Sequence, residues 1–209
     1  MDNTGQSQDV NRPRDIFIKE LPEISTEPAS LGLFGLAVAA LVIGVTYMGL
    51  ADGTNTALLI PWVLFFGAIA QLIAGTVEFK RNNIFGATVF TFFSMAMFSI
   101  ALTAYINSFT DVTVDTTHYA AGLIGVLVFL LIVTVASMMT NKVLFFIVVV
   151  VDLAVPVLIA HYLWGYSGLI GGIFLILTSA LSFYAAAAVL LNTMSKKEIL
   201  PLGSPIWEP

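Results

Sequence analysis

The chain has 209 residues, of which 58% are hydrophobic and 10% charged, with a mean hydropathy of +0.96. Soluble domains carry about 25% charged residues, so this composition excludes a water-soluble globule and requires an integral membrane protein. The net charge of −5 argues against nucleic acid as a partner. The lack of cysteine rules out disulfides and thiolate chemistry, and two histidines without cysteine give no basis for a dedicated metal site or other cofactor.

Residues 1–27 form a polar leader without the basic start and apolar core of a signal peptide, and are read as a retained cytoplasmic tail. Residues 28–195 hold six apolar segments, near 30–50, 57–78, 84–107, 119–140, 143–163 and 167–192, each close to the roughly 20 residues that cross a bilayer. Residues 196–209 form a second polar tail. The expected fold is thus an all-α, six-helix transmembrane bundle.

The charges orient it. All eight Lys and Arg lie in the leader (Arg12, Arg14, Lys19), the 2–3 loop (Lys80, Arg81), the 4–5 loop (Lys142) and the final tail (Lys196, Lys197). The intervening loops carry Asp52, Asp111, Asp115 and His118, with His161 near the last. By the positive-inside rule both termini are cytoplasmic, in a multi-pass protein of the cell membrane.

Segment 1 opens at Glu27-Pro28-Ala29-Ser30-Leu31-Gly32-Leu33-Phe34-Gly35. An acid and a proline suit a helix start. Gly32, Gly35, Ala39, Ala40 and the later Gly168-x-x-x-Gly172 suit close helix packing, because lipid supplies little hydrophobic drive between helices. In segment 2, Gln71, Gly75 and Glu78 share one helical face. Glu78 is within a turn of Arg81, so it serves either an interfacial ion pair with Arg81 or Lys142, or the pathway. Gln71 lies deeper and serves either a helix contact or a pathway.

Segment 3 starts behind Asn82-Asn83, and Asn is a strong helix N-cap. Its Thr88, Thr91, Ser99 and Thr103 fall within roughly 120° of arc, a hydroxyl stripe broken by Met95. Such hydroxyls either back-bond to the preceding turn or line a polar path. In segment 5, Asp152 precedes Pro156 by four residues, which leaves the carbonyl of residue 152 without its helical donor. A carboxylate at mid-membrane costs roughly 2.5–3.5 kcal/mol on insertion scales. Asp152 therefore makes an interhelical hydrogen bond or has a proton-linked role. No Lys or Arg lies inside the membrane. An anion crossing here is held by hydroxyls, amides and helix N-termini, or crosses protonated.

Two stretches carry a resemblance. "EPASLGLFG" resembles the Asn-Pro-Ala-Pro-Leu-Gly-Leu signature of the acetate uptake transporter family, the succinate–acetate permeases. Pro28, Ala29, Leu31, Gly32 and Leu33 match, while Glu27 replaces the family Asn and Ser30 its second Pro. The longer stretch from Ala70 to Thr88, "AQLIAGTVEFKRNNIFGAT", is similar to the family's AQ-x-x-AG-x-x-E-[FY]-[KR]-x-x-N-x-FG-x-T block, and the segment from Tyr184 to Asn192 also looks similar. The resemblance implies a hexamer with one pore per protomer, passing acetate and, in some members, succinate or other short carboxylates. It implies proton-linked or channel-like transport and a constriction at Leu36, Phe93 and Val151. Glu27, Pro28, Leu31, Gln71, Glu78, Asn83 and Thr88 are expected along the substrate path. Phe93 lies on the opposite side of helix 3 from the hydroxyl stripe, so the stripe is assigned to a helix or subunit contact. Two other readings remain: a conduit for small neutral solutes, and a non-transporting membrane sensor or assembly protein.

Overall fold

The computed structural model describes residues 26–50, 57–112 and 114–208. Most of the leader, with Arg12, Arg14 and Lys19, and Asp52 of the first loop lie outside the described residues. Among the described residues, six helices are long and apolar enough to cross a membrane: α1 (Ala29–Tyr47), α2 (Leu59–Lys80), α3 (Ile84–Phe109), α4 (Thr116–Ser137), α5 (Lys142–Trp164) and α6 (Leu169–Ser195). At 1.5 Å per residue, the 19 residues of α1 span about 28 Å, close to the hydrocarbon thickness. No strand occurs among the described residues. The outward faces are apolar, with Leu131 and Ile132 of α4 exposed at 54% and 66%, as lipid contact requires.

The helices form a ring. α1 packs most closely on α6, α6 on α5 and α5 on α4; in the other direction α1 packs on α2 and α2 on α3. The ring closes between α3 and α4, whose backbones meet far less. There the gap is filled by aromatic rings, Phe92 of α3 stacking on Phe129 of α4 with centroids 3.6 Å apart. The α1–α6 contact shows what the small residues are for. A Cβ on Gly172 would meet the Gly44 carbonyl oxygen at 2.8 Å, and one on Gly44 would meet the Gly172 oxygen at 3.0 Å. Across the same interface Ser179 Oγ donates to the Ala37 carbonyl at 2.7 Å, and Ser30 Oγ to that of Ala186 at 3.2 Å. Interfaces of this kind replace the hydrophobic drive that lipid cannot supply.

Helix α2 is not regular. Its middle, Val63–Ala70, is wound as a π-helix, a form rare enough that it commonly marks a functional position. The wider turn changes which face each residue presents, and a reading at 3.6 residues per turn cannot anticipate it. The regular winding resumes at Gln71. Helix α1 begins at Ala29, with Pro28 at its cap position rather than in its first turn. Glu27 Oε1 accepts from the Ala29 N–H at 3.3 Å.

Candidate functional site: two cavities meeting at a neck

The turn between α2 and α3 builds one end of the site. Asn82 takes a left-handed conformation (φ 55°), which Asn tolerates better than most residues. The Asn83 N–H donates to the Glu78 carbonyl at 3.1 Å and the Asn82 N–H to that of Phe79 at 3.3 Å. This is the paired bonding of a Schellman ending. It folds Asn83 back under α2, where its side chain does two jobs. Oδ1 accepts from the Gly86 N–H at 3.2 Å and caps α3, while Nδ2 donates to Glu78 Oε2 at 3.0 Å.

Glu78 is 1% exposed, and its Oε1 has no hydrogen-bond partner among the described residues. Its carboxyl fits because residue 86 is glycine: a Cβ there would lie 2.8 Å from Glu78 Oε1 and from Asn83 Nδ2. Arg81 sits over this group and leans away from it. Its Nη2 donates to Glu27 Oε2 at 2.7 Å and its Nη1 to the Thr26 carbonyl at 3.2 Å, while its Nε is 3.8 Å from Glu78 Oε2. Lys142 is not the partner of Glu78 in either ion pair found there.

Inward from this cluster lies a cavity of about 90 Å³. Leu36, Gln71, Glu78, Asn83, Phe93 and Val151 all line it, together with Val148 and Leu144 of α5 and Leu202 of the C-terminal tail. Gln71 is wholly buried and neither its Oε1 nor its Nε2 has a protein partner among the described residues. A buried amide left this way costs free energy, and here it borders a cavity in which a ligand oxygen can meet it. A second cavity, about 510 Å³, opens toward the other end of the bundle. Phe93 and Val151 are the residues common to both linings. They form the neck, with Leu36 on its inner side. Phe93 is held edge-on against Phe129 with centroids 6.4 Å apart.

The outer cavity adds a different set of polar groups: Ser99, Thr103 and Asn107 of α3, Asp115 and His118 at the start of α4, Tyr119 and Tyr162. Asp115 caps α4 by accepting from the Thr117 N–H at 2.8 Å. Hydrogen bonding from Thr117 holds its carboxyl below the usual carboxylate range. Behind this mouth Tyr47 and Tyr162 share a hydroxyl hydrogen bond at 2.6 Å, and Tyr119 packs on Tyr162 with ring centroids 4.5 Å apart. His161 is at the same end, its Nδ1 2.6 Å from the Tyr166 carbonyl.

The remaining residues singled out from sequence lie elsewhere. Thr88 is exposed on the outer face of α3, and Leu31 is 44% exposed on α1; neither lines a cavity. Pro28 is buried and Glu27 part-buried at the α1 start, outside both linings. Asp152 also lines neither cavity; Thr134 Oγ1 of α4 donates to its Oδ2 at 2.5 Å, joining α4 to α5.

The hydroxyl stripe divides. Thr91 packs against Gly75 of α2, and Ser99 and Thr103 enter the outer cavity. The reason is width, since one helix face narrows the path at Phe93 while the wider cavity beyond takes in a broader arc of the same helix. Sequence reading missed Val148, Tyr119, Tyr162 and Leu202. Only the aromatics carry a signal, as polar-tipped rings near helix ends.

Comparison with known proteins gives a consistent picture. Residues 18–202 match the GPR1/FUN34/yaaH family. Among curated relatives, the succinate-acetate/proton symporter SatP of Escherichia coli K12 is 27% identical over 189 residues, covering 84% of this chain and 94% of that protein. Acetate permease A of Emericella nidulans is 26% identical over 200 residues, covering 87% of this chain and 67% of that protein. The glyoxylate pathway regulator of Yarrowia lipolytica is 28% identical over 186 residues, covering 85% and 69%. Among solved structures, the bacterial acetate channel SatP superposes with a TM-score of 0.77 at 24% identity, covering 86% of this chain and 99% of that one. That likeness establishes the six-helix fold.

Proposed function

The chain belongs to the GPR1/FUN34/yaaH family, and from that membership and the two-cavity site we propose that it is a membrane transporter or channel for acetate and similar short carboxylates, succinate among them. The observation that carries this reading is the meeting of a small inner cavity and a polar outer one at Phe93 and Val151. A short carboxylate has one apolar and one charged end. Its apolar end passes the neck, while the Gln71 amide on one side and the Thr103, Asn107 and Tyr hydroxyl or amide groups on the other replace part of its hydration shell.

At the inner mouth Arg81 and the starts of α3 and α5, capped by Asn83 and Asn141, provide positive potential. Glu27 and Glu78 oppose it. Glu27 is compensated by Arg81. Glu78, with Oε1 unpartnered, repels an anion when ionised and donates to it when protonated, which links passage to a proton. The inner mouth is the cytoplasmic one, because Lys80, Arg81, Lys142, Lys196 and Lys197 lie at that end. The ring of six helices encloses its own path, which supports one path per protomer of the homo-hexamer that the family resemblance implies. The activity proposed is conduction, in keeping with the symporter and permease among the relatives.

The test is uptake of labelled acetate into proteoliposomes, with and without a pH gradient. Flux in both conditions, larger with the gradient, indicates proton linkage; equal flux indicates facilitation. Passage of a neutral solute such as glycerol without acetate would replace this reading with a neutral-solute conduit, and no flux of either would sink transport altogether.

A further inference from the structure

After α6 the chain does not leave the bundle. Lys196 takes a left-handed conformation (φ 54°) and the tail turns back across the inner mouth. Asn192 of α6 fastens its first part: Oδ1 accepts from the Ile199 and Leu200 N–H groups at 2.7 and 3.0 Å, and Nδ2 donates to the Leu200 carbonyl at 2.8 Å. Tyr184 Oη donates to the Pro201 carbonyl at 2.8 Å. The middle of the tail then crosses to α5, where the Val143 N–H donates to the Leu202 carbonyl at 3.2 Å. The last part reaches the end of α4, where the Ile206 and Trp207 N–H groups both donate to the Met138 carbonyl at 2.8 and 3.1 Å.

These bonds satisfy groups that helix ends leave over. Val143 belongs to the first turn of α5, whose N–H groups have no partner within the helix, and Met138 is the carbonyl at the end of α4. The tail is therefore a strap tied to three helices. Among the tail's described residues, Leu202 is the one that lines the inner cavity, beside Asn141, Leu144 and Val189.

We propose that Leu202 is a specificity-determining residue of the pathway: the folded-back tail supplies the inner wall through this side chain, and its size limits both entry from the basic end and the bulk of the carboxylate passed. The inference rests on the carboxylate reading for its selectivity but not for its geometry. A wall made by a tail differs from one made by a helix. The strap holds Leu202 by backbone bonds on either side of it, and its side chain packs against the apolar core that borders the inner cavity.

Two measurements test it on the full chain. In the first, Leu202→Ala and Leu202→Trp are compared with wild type for uptake of acetate and butyrate. A change of one or two methylenes in an apolar wall shifts discrimination by about tenfold or more. Leu202→Ala is thus expected to raise the butyrate-to-acetate ratio by about that factor, and Leu202→Trp to lower acetate flux similarly.

The second needs no substrate. The chain has no cysteine, so Val148→Cys places a single thiol in the inner cavity. Its modification by a small charged methanethiosulfonate added from the basic side is expected to quicken about tenfold when Leu202→Ala is added. If Leu202→Ala does not fold, Leu202→Val carries the same comparison. Unchanged thiol modification together with unchanged selectivity overturns the proposal. If wild type passes no carboxylate, the functional reading falls, and the thiol rates alone still decide whether Leu202 closes the cavity.

Discussion

Replacing Phe93 with alanine addresses the neck directly. Phe93 is 6% exposed, borders both cavities, and stands edge-on to Phe129. Removing its ring joins a cavity of about 90 Å³ to one of about 510 Å³. The loss has two parts. Truncating a packed Phe costs about 3–5 kcal/mol of stability, including about 0.5–1.5 kcal/mol for the ring pair. The open side of this ring faces cavities and not packed atoms, so a value at the low end is expected.

The gain is in what passes. A step of one methylene in an apolar pocket is worth about 1–3 kcal/mol, or roughly 10–200-fold in discrimination. Deleting a phenyl exceeds one methylene, so the butyrate-to-acetate uptake ratio is expected to rise at least tenfold. The assay is paired uptake in proteoliposomes, with thermal unfolding in detergent to establish that the protein is folded. Phe93→Leu, which keeps an apolar neck, is expected to fall between the two. A folded Phe93→Ala with wild-type selectivity would refute the assignment of the neck, because size would then be governed elsewhere on the path.

Other perturbations separate the parts of the site. Gly86→Ala puts a Cβ 2.8 Å from Glu78 Oε1 and is expected to cost about 1–3 kcal/mol by overpacking while cutting acetate flux; thermal unfolding and uptake both unchanged would mean that the Glu78 carboxyl moves freely. Glu27→Asn removes an ion pair between two side chains each about 30% exposed, so its effect on stability is expected to stay within about 1 kcal/mol. With that negative charge gone, acetate entry from the basic end should rise, more at low salt than at high, and a fall would reverse the assigned role of Arg81. Asp152→Asn keeps the shape and a hydrogen-bonding oxygen beside Thr134, away from both cavities. The pH profile of uptake is expected to be unaltered, whereas a flattened profile would assign a proton-linked role to Asp152.

Sequence alone reveals the helices well and the site unevenly. The six spans stand out because a bilayer demands about 20 apolar residues in a row, and their ends agree with the structure to within a few residues. Gln71, Glu78 and Asn83 are legible because polar groups at membrane depth are rare and need a reason. Thr88 and Leu31 have no such distinguishing chemistry, and their outward placement depends on helix rotation. The π-helical turns before Gln71 carry no polar or periodic mark in the sequence. Leu202 could not be found by any span-based reading, because it reaches the cavity through a tail whose path is fixed by Asn192 and by the spare groups of two helix ends. The hydroxyl stripe shows the converse, a regular pattern that serves three different surroundings along one helix.

The loosely joined seam of the ring has a mechanical consequence. Five of the six neighbouring contacts are made by close helix packing, and the sixth, between α3 and α4, by the stacked rings of Phe92 and Phe129. Backbones locked through small residues resist separation, whereas aromatic faces slide at little cost. The bundle is built like a split collar, stiff around most of its circumference and compliant at one slit. That slit adjoins the neck, since Phe129 touches Phe93 as well as Phe92. A passing solute that pushes Phe93 aside loads the most yielding joint in the wall, so the pathway can dilate without any helix being displaced from α1.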